Sequence, residues 1–355
     1  MLLSEKIEAF TKLGEVLEAV VNNNSTTLHS EVQKKYYDKF QQAVQTVHYS
    51  NAWFTPENLR FSFAGISENL KEENLKSWLQ NYNIISLKEP KKIAVILAGN
   101  IPLVGFHDFL CIILSGNIFL GKLSSKDDKL LRLITGFLIE INTEFSQLIA
   151  FEEHILKNFD AVIATGSNNS ARYFQYYFGK VPNIIRKNRN SVAVLSGNET
   201  PQQLENLADD IFIYFGLGCR NVSKIFLPEN YDITYLIKNL EKYKHLKNHN
   251  KYQNNYEYNR AIYLVNQTLH HDNGFLLFKE DTNLSSPVSV VFYEFYNDIE
   301  VLKKTLEQHC NLLQCIVSET NNITNAVNFG KTQKPQLSDY ADLIDTMEFL
   351  LKLNE

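Results

Sequence analysis

"KIAVILAGN", residues Lys92 to Asn100, is the first of four short apolar runs that decide the fold class of this chain. Each run is rich in aliphatic residues and bounded by small or polar ones, which is typical of a buried β-strand. The longer segments between them, Lys126–Ile149 and Ser167–Phe178, predict helices. Strands that alternate with helices predict right-handed crossovers and a largely parallel sheet, so we expect an α/β protein. The other three runs are "NIFLGKL" (Asn117–Leu123), "DAVIATGS" (Asp160–Ser167) and "SVAVLSG" (Ser191–Gly197).

The rest of the chain divides around these runs. Residues 1–91 carry apolar residues at helical spacing and predict an N-terminal helical segment. A second series of strands and helices follows Ser191, so we expect two α/β domains. The predicted division is a first α/β domain at 92–190, a second α/β domain at 191–323 and a C-terminal return segment at 324–355.

Composition argues against several classes of function. The 355 residues carry 40 acidic and 35 basic side chains mixed along the chain, a net charge of -5, so we expect no basic face for nucleic acid. The sequence contains no run that approaches the roughly 20 apolar residues that span a bilayer, and its N-terminus lacks the apolar stretch of a signal peptide. Four cysteines without regular spacing do not make a disulfide framework. A reducing cytoplasm is the expected compartment.

The stretch "FGLGCRNVSK", Phe215 to Lys224, raises the question of a nucleophile. A free cysteine is most often a small buried hydrophobe, so a structural role for Cys219 is one interpretation. Its neighbours favour the other, because Gly216 and Gly218 let the backbone approach a ligand closely and Arg220 would favour the thiolate. On the residues alone both interpretations stay open.

The ends of three predicted strands carry further candidate residues. Asn100 lies in a turn restricted by Pro102, where its amide could donate to a developing oxyanion; an asparagine that only shapes the turn is the alternative. Lys122 ends a second strand, where it is either solvated or reaches a ligand. "ATGS" (Ala164–Ser167) leads from a strand into a helix, so its N–H groups could meet an anion, a weak nucleotide signal by itself.

The remaining cysteines and histidines predict no further chemistry. Cys111, Cys310 and Cys315 are interpreted as core residues, and their spacing does not match a zinc site, so no metal is expected. His270–Asp272 predicts a surface turn. The stretch Lys242–Asn259, rich in Lys, Asn and Tyr, predicts a solvated helix or loop rather than a surface that stacks on bases.

Taken in order, these segments resemble the aldehyde dehydrogenase superfamily, and within it the acyl-CoA reductase branch of the LuxC type. The resemblance runs from about Lys92 to the C-terminus and leaves the N-terminal segment unassigned. It implies an aldehyde dehydrogenase-like fold, in which a Rossmann-like domain holds the cofactor and a second α/β domain carries the nucleophile. The segments that carry it are "AGNIPL", "GNIFLGKLSS", "ATGS", "FGLGCRN", "LSSPVSVVFYE" and "FGKTQKPQLSDYADLIDTMEFLLKL".

The resemblance also implies a role for each candidate residue. Cys219 would be the catalytic nucleophile, and Asn100 would donate to the oxyanion. Relatives commonly assemble as dimers, so a homodimer is the assembly that the resemblance implies. The residues that would bind the dinucleotide are Lys122, Ser124, Ser125, Thr165, Gly166 and Ser167.

The sequence departs from the family pattern at three places. Hydrolytic aldehyde dehydrogenases carry a glutamate that activates water against the acyl-enzyme, and the corresponding stretch here, Ile185–Ser191, has no carboxylate. Without that base the thioester intermediate can wait for a hydride or for coenzyme A. A second family carboxylate, near the nicotinamide ribose, corresponds to Asn283. Ser125 stands where NAD-preferring relatives often have glutamate, and it tolerates a 2′-phosphate that Lys122 could attract; this favours NADPH, with NADH as the alternative.

The predicted reaction is the reduction of an acyl-CoA, expected to be fatty, to an aldehyde through an acyl group on Cys219. Three rival functions are distinguishable by experiment. An aldehyde-oxidising dehydrogenase would form acid without coenzyme A. A thioesterase or acyltransferase would turn over acyl-CoA without a nicotinamide. A non-catalytic cofactor-binding or interaction protein would leave Cys219 resistant to alkylation.

Overall fold

The computed structural model describes residues 1–84, 89–320 and 322–354. Its strands are β1 (Lys92–Ile96), β2 (Ile118–Lys122), β3 (Ile149–Phe151), β4 (Ala161–Thr165), β5 (Asn183–Arg186), β6 (Asn190–Val194), β7 (Val222–Pro228), β8 (His271–Asp272), β9 (Leu277–Glu280), β10 (Val290–Tyr296) and β11 (Leu313–Val317). Its helices are α1 (Leu3–Val21), α2 (Glu31–Thr46), α3 (Pro56–Asn69), α4 (Glu72–Leu79), α5 (Phe106–Leu114), α6 (Leu130–Ile141), α7 (Phe145–Leu148), α8 (Asn168–Phe178), α9 (Pro201–Phe212), α10 (Ile233–Asn239), α11 (Asn250–Val265), α12 (Ile299–Gln308) and α13 (Thr346–Lys352).

The four apolar runs of the sequence form β1, β2, β4 and β6, as predicted. Their side chains are mostly buried, because each strand lies inside a parallel sheet that is covered on both faces. The predicted α/β class is therefore confirmed. The helices predicted for the N-terminal segment are confirmed as well, since α1 to α4 lie in the described part of that segment.

Residues 1–187 and 336–355 form one compact unit around a parallel sheet of order β3-β2-β1-β4-β5. On one face of the sheet, a large apolar core joins the N-terminal helices to the helices that follow β1 and β2; Phe10, Phe109 and Phe137 lie fully buried in it. On the other face, Phe174 and Phe178 of α8 pack against a smaller cluster of strand residues. The helical segment is thus part of the core of this unit.

The C-terminal segment is tied to this unit by buried polar contacts. Arg186, at the end of β5, forms an ion pair with Asp108 of α5 and donates to the hydroxyl of Thr346 at 3.0 Å. The indole N–H of Trp78 donates to the hydroxyl of Tyr340 at 3.0 Å. Because these side chains are almost fully buried, each contact satisfies a polar group that burial would otherwise leave unpaired.

Residues 188–335 form the second unit, with a sheet of order β11-β6-β7-β10-β9-β8. All neighbouring strands pair in parallel except β8 and β9, which are antiparallel. Leu302 and Leu306 of α12 pack on Val192, Val194 and Phe226 of the strands. A separate cluster places α11 against β9 and β10.

The structure corrects three sequence-based expectations. The stretch Lys242–Asn259 is helical, but it is not simply solvated, because Tyr252 and Tyr256 of α11 are buried. The predicted turn at His270–Asp272 contains the short edge strand β8. Cys310, predicted to be a core residue, is exposed.

Candidate active site

The carboxyl ends of β1, β2 and β4 gather the predicted cofactor residues at one edge of the first sheet. β1 pairs in parallel with β2 on one side and with β4 on the other. The chain runs outward from β1 to β3 and then returns to β4 across the far side of β1, so the winding direction reverses between β1 and β4. In open α/β sheets, ligands bind outside the carboxyl ends of the strands at such a reversal.

The end of β2 carries three of the predicted cofactor residues. Lys122 is half-buried, and its ammonium donates to the main-chain carbonyl of His154, beyond β3. The Ser124 hydroxyl accepts the N–H of Lys126 at 3.2 Å, which fixes the turn after the strand. Ser125 is exposed. The Ser125 side chain is small and neutral, whereas a glutamate at this position would add a negative charge.

The loop after β1 lies directly against this turn. A Cβ atom on Gly99 would lie 2.6 Å from Oγ of Ser124, so only glycine allows the two loops to approach this closely. Asn100 follows and is exposed. The structure therefore brings the predicted oxyanion donor, Asn100, and the predicted cofactor residue Ser124 to adjoining loops of one unit.

A carboxylate that sequence reasoning missed holds these loops together. Asp127 accepts the N–H of Leu103 at 2.9 Å, and its own N–H donates to the carbonyl of Ser124 at 3.0 Å. Leu103 has a φ of 56°, in the left-handed region that a leucine rarely occupies, so its conformation depends on such contacts. Burial raises the pKa of Asp127 to about 6. In the sequence, Asp127 is part of the charged pair "DD" and carries no signal of this role.

The end of β4 carries the other three predicted cofactor residues. Thr165 ends the strand, and Gly166 lies so close to Phe174 that a Cβ there would be 2.9 Å from its ring. Ser167 is the N-cap of α8, where its hydroxyl accepts the N–H of Ser170 at 3.2 Å. The start of α8 therefore follows the strand end directly, the arrangement that places helix N–H groups near a bound anion.

Cys219 lies in the second unit, in a tight turn between α9 and β7. The residue is exposed, whereas Cys111 and Cys315 are buried, as predicted for core cysteines. The chain reaches the turn through three consecutive residues with positive φ: Tyr214, Phe215 and Gly216 at 57°, 59° and 75°. A non-glycine residue in this region is uncommon, and such strain tends to occur at functional sites.

Two neighbouring side chains join the Cys219 turn to the sheet. The Ser191 hydroxyl donates to the carbonyl of Cys219 at 2.9 Å and accepts the N–H of Cys315 at 3.2 Å. The guanidinium of Arg220, predicted to favour the Cys219 thiolate, donates to Sγ of Cys315 at 3.3 Å. Arg220 directly follows the predicted nucleophile in the chain, and its charge lies beside the buried sulfur of Cys315.

Asn221 and Asp210 also support this turn, and sequence reasoning missed both. The buried amide of Asn221 hydrogen-bonds to Gly218 and to the last carbonyls of α9, one of which belongs to Asp210. The Asp210 carboxylate accepts the N–H groups of Gly330 and Thr332 at 2.7 and 3.0 Å. Burial raises the pKa of Asp210 to about 6. Asn221 ends the quoted segment "FGLGCRN" and Asp210 lies outside the motifs, and the role of neither is visible there, because most of their partners are backbone atoms that a sequence does not mark.

The stretch that departs from the family pattern, Ile185–Ser191, is engaged in structural contacts. The guanidinium of Arg189 donates to the carbonyl of Leu313 at 3.0 Å, and Ser191 bonds to Cys219 as described. Asn283, at the position of the second family carboxylate, donates from its backbone and side chain to Asp281 at 2.9 and 2.8 Å. This stretch therefore contacts the cysteine turn through the Ser191 hydroxyl and not through a carboxylate.

The sequence profile of the acyl-CoA reductase (LuxC) family matches residues 11–276. That range is most of the chain. The chain belongs to the LuxC acyl-CoA reductase family. The match includes Asn100, the cofactor-binding candidates and Cys219, and it begins well before Lys92, so the N-terminal helical segment, left unassigned by the sequence motifs, is part of the family. The two C-terminal motifs of the resemblance lie beyond the matched residues.

Solved structures of aldehyde dehydrogenases share the fold of this LuxC-family chain. Aldehyde dehydrogenase 21 from Physcomitrella patens, in complex with succinate, matches with a TM-score of 0.62 at 14% identity, covering 98% of this chain and 84% of its own. An acetylating aldehyde dehydrogenase from Geobacillus thermoglucosidasius matches with a TM-score of 0.62 at 10% identity, covering 95% and 86%. The indole-3-acetaldehyde dehydrogenase AldA of P. syringae, in complex with NAD+, matches at 0.61 and 12% identity, covering 92% and 74%. No curated protein matches the sequence.

Family membership makes the chain an oxidoreductase of acyl groups, with the aldehyde dehydrogenase fold that was predicted. Among the described residues, no group of three or more His, Cys, Asp or Glu side chains is placed to hold a metal ion. The helices in the described part of the chain are all too short or too polar to cross a lipid bilayer.

Proposed function

We propose that this LuxC-family chain reduces an acyl-CoA, of the fatty class, to the aldehyde through an acyl-thioester on Cys219. The observation that carries the proposal is the exposed Cys219 in a strained turn, in contact with a stretch that offers a hydroxyl where hydrolytic relatives carry a carboxylate. A cysteine on an exposed turn can reach and attack a substrate, and a missing general base leaves the acyl-enzyme intact for reduction.

In the first half-reaction the Cys219 thiolate attacks the thioester carbon. The oxyanion that forms is stabilised by the Asn100 side-chain amide and the Cys219 backbone N–H. The bond from carbon to the coenzyme A sulfur then breaks, and coenzyme A leaves as its thiolate. The acyl group is left on Cys219.

The residues at the carboxyl ends of β2 and β4 fit a nicotinamide dinucleotide. They lie at the edge where the strand order reverses, and the close approach at Gly99 leaves no side chain between the loops after β1 and β2. When bound, the cofactor supplies the hydride that reduces the acyl group. Collapse of the resulting thiohemiacetal on Cys219 releases the aldehyde and returns the thiolate. Structural neighbours from P. syringae and Mycobacterium tuberculosis were solved with NAD+, which supports a cofactor of this class.

Within that class we propose NADPH. Ser125 is exposed and neutral, so it does not repel a 2′-phosphate as a glutamate would. Lys126 is exposed and adjacent to Ser125 in the chain, and Lys122 ends the strand that leads into this turn, so two cations are available to attract that phosphate. In this proposal residues 92–190 hold the cofactor and residues 191–323 carry the cysteine.

One experiment tests the reaction in two steps. The purified protein is mixed with tetradecanoyl-CoA without cofactor, and peptide mass spectrometry is used to find the acyl group. We expect it on Cys219, with release of coenzyme A, and we expect tetradecanal only after NADPH is added. An adduct on another residue, or free acid formed in place of aldehyde, would contradict the proposal.

A further inference from the structure

We infer that Asn221 is the positioning residue of the nucleophile: its buried side chain sets where the Cys219 sulfur is presented. Asn221 is 3% exposed and lies two residues after the cysteine. The inference rests on the proposed role of Cys219 and adds a residue that touches neither substrate nor cofactor.

The first part of the argument is the turn that Asn221 closes. Its side-chain oxygen accepts the N–H of Gly218 at 2.8 Å, and its own backbone N–H donates to the carbonyl of Gly218 at 3.0 Å. Cys219 and Arg220 are the two residues enclosed between these bonds. The path of the backbone at Cys219 is therefore fixed from both sides by one residue.

The second part is the anchor of the turn on α9. The Asn221 side-chain N–H groups donate to the carbonyls of Asp210, Ile211 and Ile213 at 3.0, 3.3 and 2.8 Å. The last carbonyls of a helix have no partner within the helix, so a side chain that binds two of them, those of Asp210 and Ile211, and the carbonyl of Ile213 just beyond is a strong attachment. The amide thus uses its oxygen on the turn and its nitrogen on the helix.

The third part is the strain in the segment between helix and turn. Tyr214, Phe215 and Gly216 all have positive φ, and neither tyrosine nor phenylalanine favours that conformation. Both aromatic side chains are buried, and the ring of Phe215 packs on His249 at a centroid distance of 4.3 Å. These contacts hold the segment in place. Asn221 also bridges it, because its partners Ile213 and Gly218 flank the strained residues. Without that bridge we expect the segment to relax and the sulfur to move.

The test compares Asn221→Ala with a matched variant, Asn259→Ala. Asn259 is also a buried asparagine of the second unit, 7% exposed, and its amide donates to the carbonyls of Asn255 and Val288, which lie outside the turn. Both variants lose buried hydrogen bonds, so both should unfold at a lower temperature. Asn221→Asp is the second variant: it keeps the acceptor for Gly218 and loses the donors to α9.

Two rates are measured on Cys219 below the unfolding midpoint of every variant. Acylation by tetradecanoyl-CoA without cofactor depends on geometry, and we expect roughly a 100-fold loss in Asn221→Ala, the penalty typical of a misplacement near 1 Å. Alkylation by iodoacetamide needs only a reachable thiolate, so we expect its rate not to fall at a pH high enough to ionise the thiol fully. The KM for NADPH, which is proposed to bind residues of the first unit, should not change. Asn259→Ala should be acylated at the wild-type rate, and Asn221→Asp should be slow like Asn221→Ala.

The outcomes separate this inference from the proposed function. If Asn221→Ala and Asn221→Asp are acylated as fast as Asn259→Ala, Asn221 is only a stabilising residue and the inference is overturned. If the wild-type protein is not acylated at all, the proposed function fails, and the pH profile of alkylation decides on Asn221. If the profile of Asn221→Ala is displaced from that of Asn259→Ala by about half a pH unit or more, the inference that Asn221 positions the sulfur is supported. If the two profiles superimpose, the inference is overturned.

Discussion

The hydroxyl of Ser191 donates a hydrogen bond to the carbonyl of Cys219 at 2.9 Å and so links the start of β6 to the cysteine turn. In the chain these residues lie 28 positions apart. The same hydroxyl accepts the N–H of Cys315 in β11. The fully buried Ser191 hydroxyl therefore fixes the position of the Cys219 carbonyl relative to β6 and β11.

Ser191→Ala should slow the acylation of Cys219 by roughly tenfold, because the carbonyl loses the bond that orients it. The matched control is Ser318→Ala, since Ser318 is also a buried serine of the second unit and donates to the carbonyl of Val194 at 2.8 Å. Each variant should lose about 1 kcal/mol of unfolding free energy in urea titrations. Equal acylation rates in the two variants would show that Ser191 acts only on stability.

Asn100→Ala should lower the rate of Cys219 acylation by roughly 100-fold or more, the usual cost of losing an oxyanion donor. Asn100 is exposed, so its truncation should change the thermal unfolding midpoint only slightly. Asn100→Asp keeps the size of the side chain and removes its donors, and it should be as slow. Single-turnover mass spectrometry gives the rate. If iodoacetamide alkylation slows by the same factor, the effect is on the cysteine itself and the oxyanion role is contradicted.

The architecture could be predicted because buried parallel strands are continuous apolar runs. β1, β2, β4 and β6 each show such a run, and the carboxyl ends of β1, β2 and β4 carry the polar residues that the first sheet gathers at one edge. β8 could not be predicted, since two residues are too few to show a period. The burial of Tyr252 was hidden by the polar residues around it in α11.

The supporting residues of the site could not be predicted, for a different physical reason. Asn221 and Asp127 bind backbone N–H and carbonyl groups, and every residue type presents those groups alike. Ser191 reaches Cys219 only after two strands have paired. Motif reasoning predicts residues that are proposed to perform chemistry, such as Cys219, but it does not predict the contacts that hold them.

Ser125→Glu should shift cofactor preference from NADPH towards NADH. A carboxylate at this exposed position would repel the 2′-phosphate and accept hydrogen bonds from a 2′-hydroxyl. We expect the ratio of kcat/KM for NADPH to that for NADH to fall by about tenfold or more. The reason is that repulsion between the new carboxylate and the 2′-phosphate at short range costs more than about 1 kcal/mol. Ser77→Glu, at an exposed serine of α4, adds the same charge elsewhere in the first unit and should leave the ratio unchanged. An unaltered ratio in Ser125→Glu would place the phosphate elsewhere.

Asp127→Asn should change how stability depends on pH. Burial raises the pKa of Asp127 from 3.8 to about 6, so between those pH values the folded protein binds a proton that the unfolded chain has released. Stability from this group is therefore fully present below about pH 4 and is lost as the pH rises through about 6. Asparagine does not titrate and keeps an oxygen that can accept the N–H of Leu103.

The measurement is urea unfolding of both proteins from pH 4 to 7.5, because the other titrating groups cancel in the difference. Relative to wild type, Asp127→Asn should gain free energy of unfolding as the pH rises, by up to about 3 kcal/mol for a shift of two pKa units. A difference that stays constant over this range would mean that Asp127 is ionised with an ordinary pKa in the folded protein. A difference of the opposite sign would mean that its carboxylate is stabilised, and the loop after β1 would then be held by a charge that burial does not penalise.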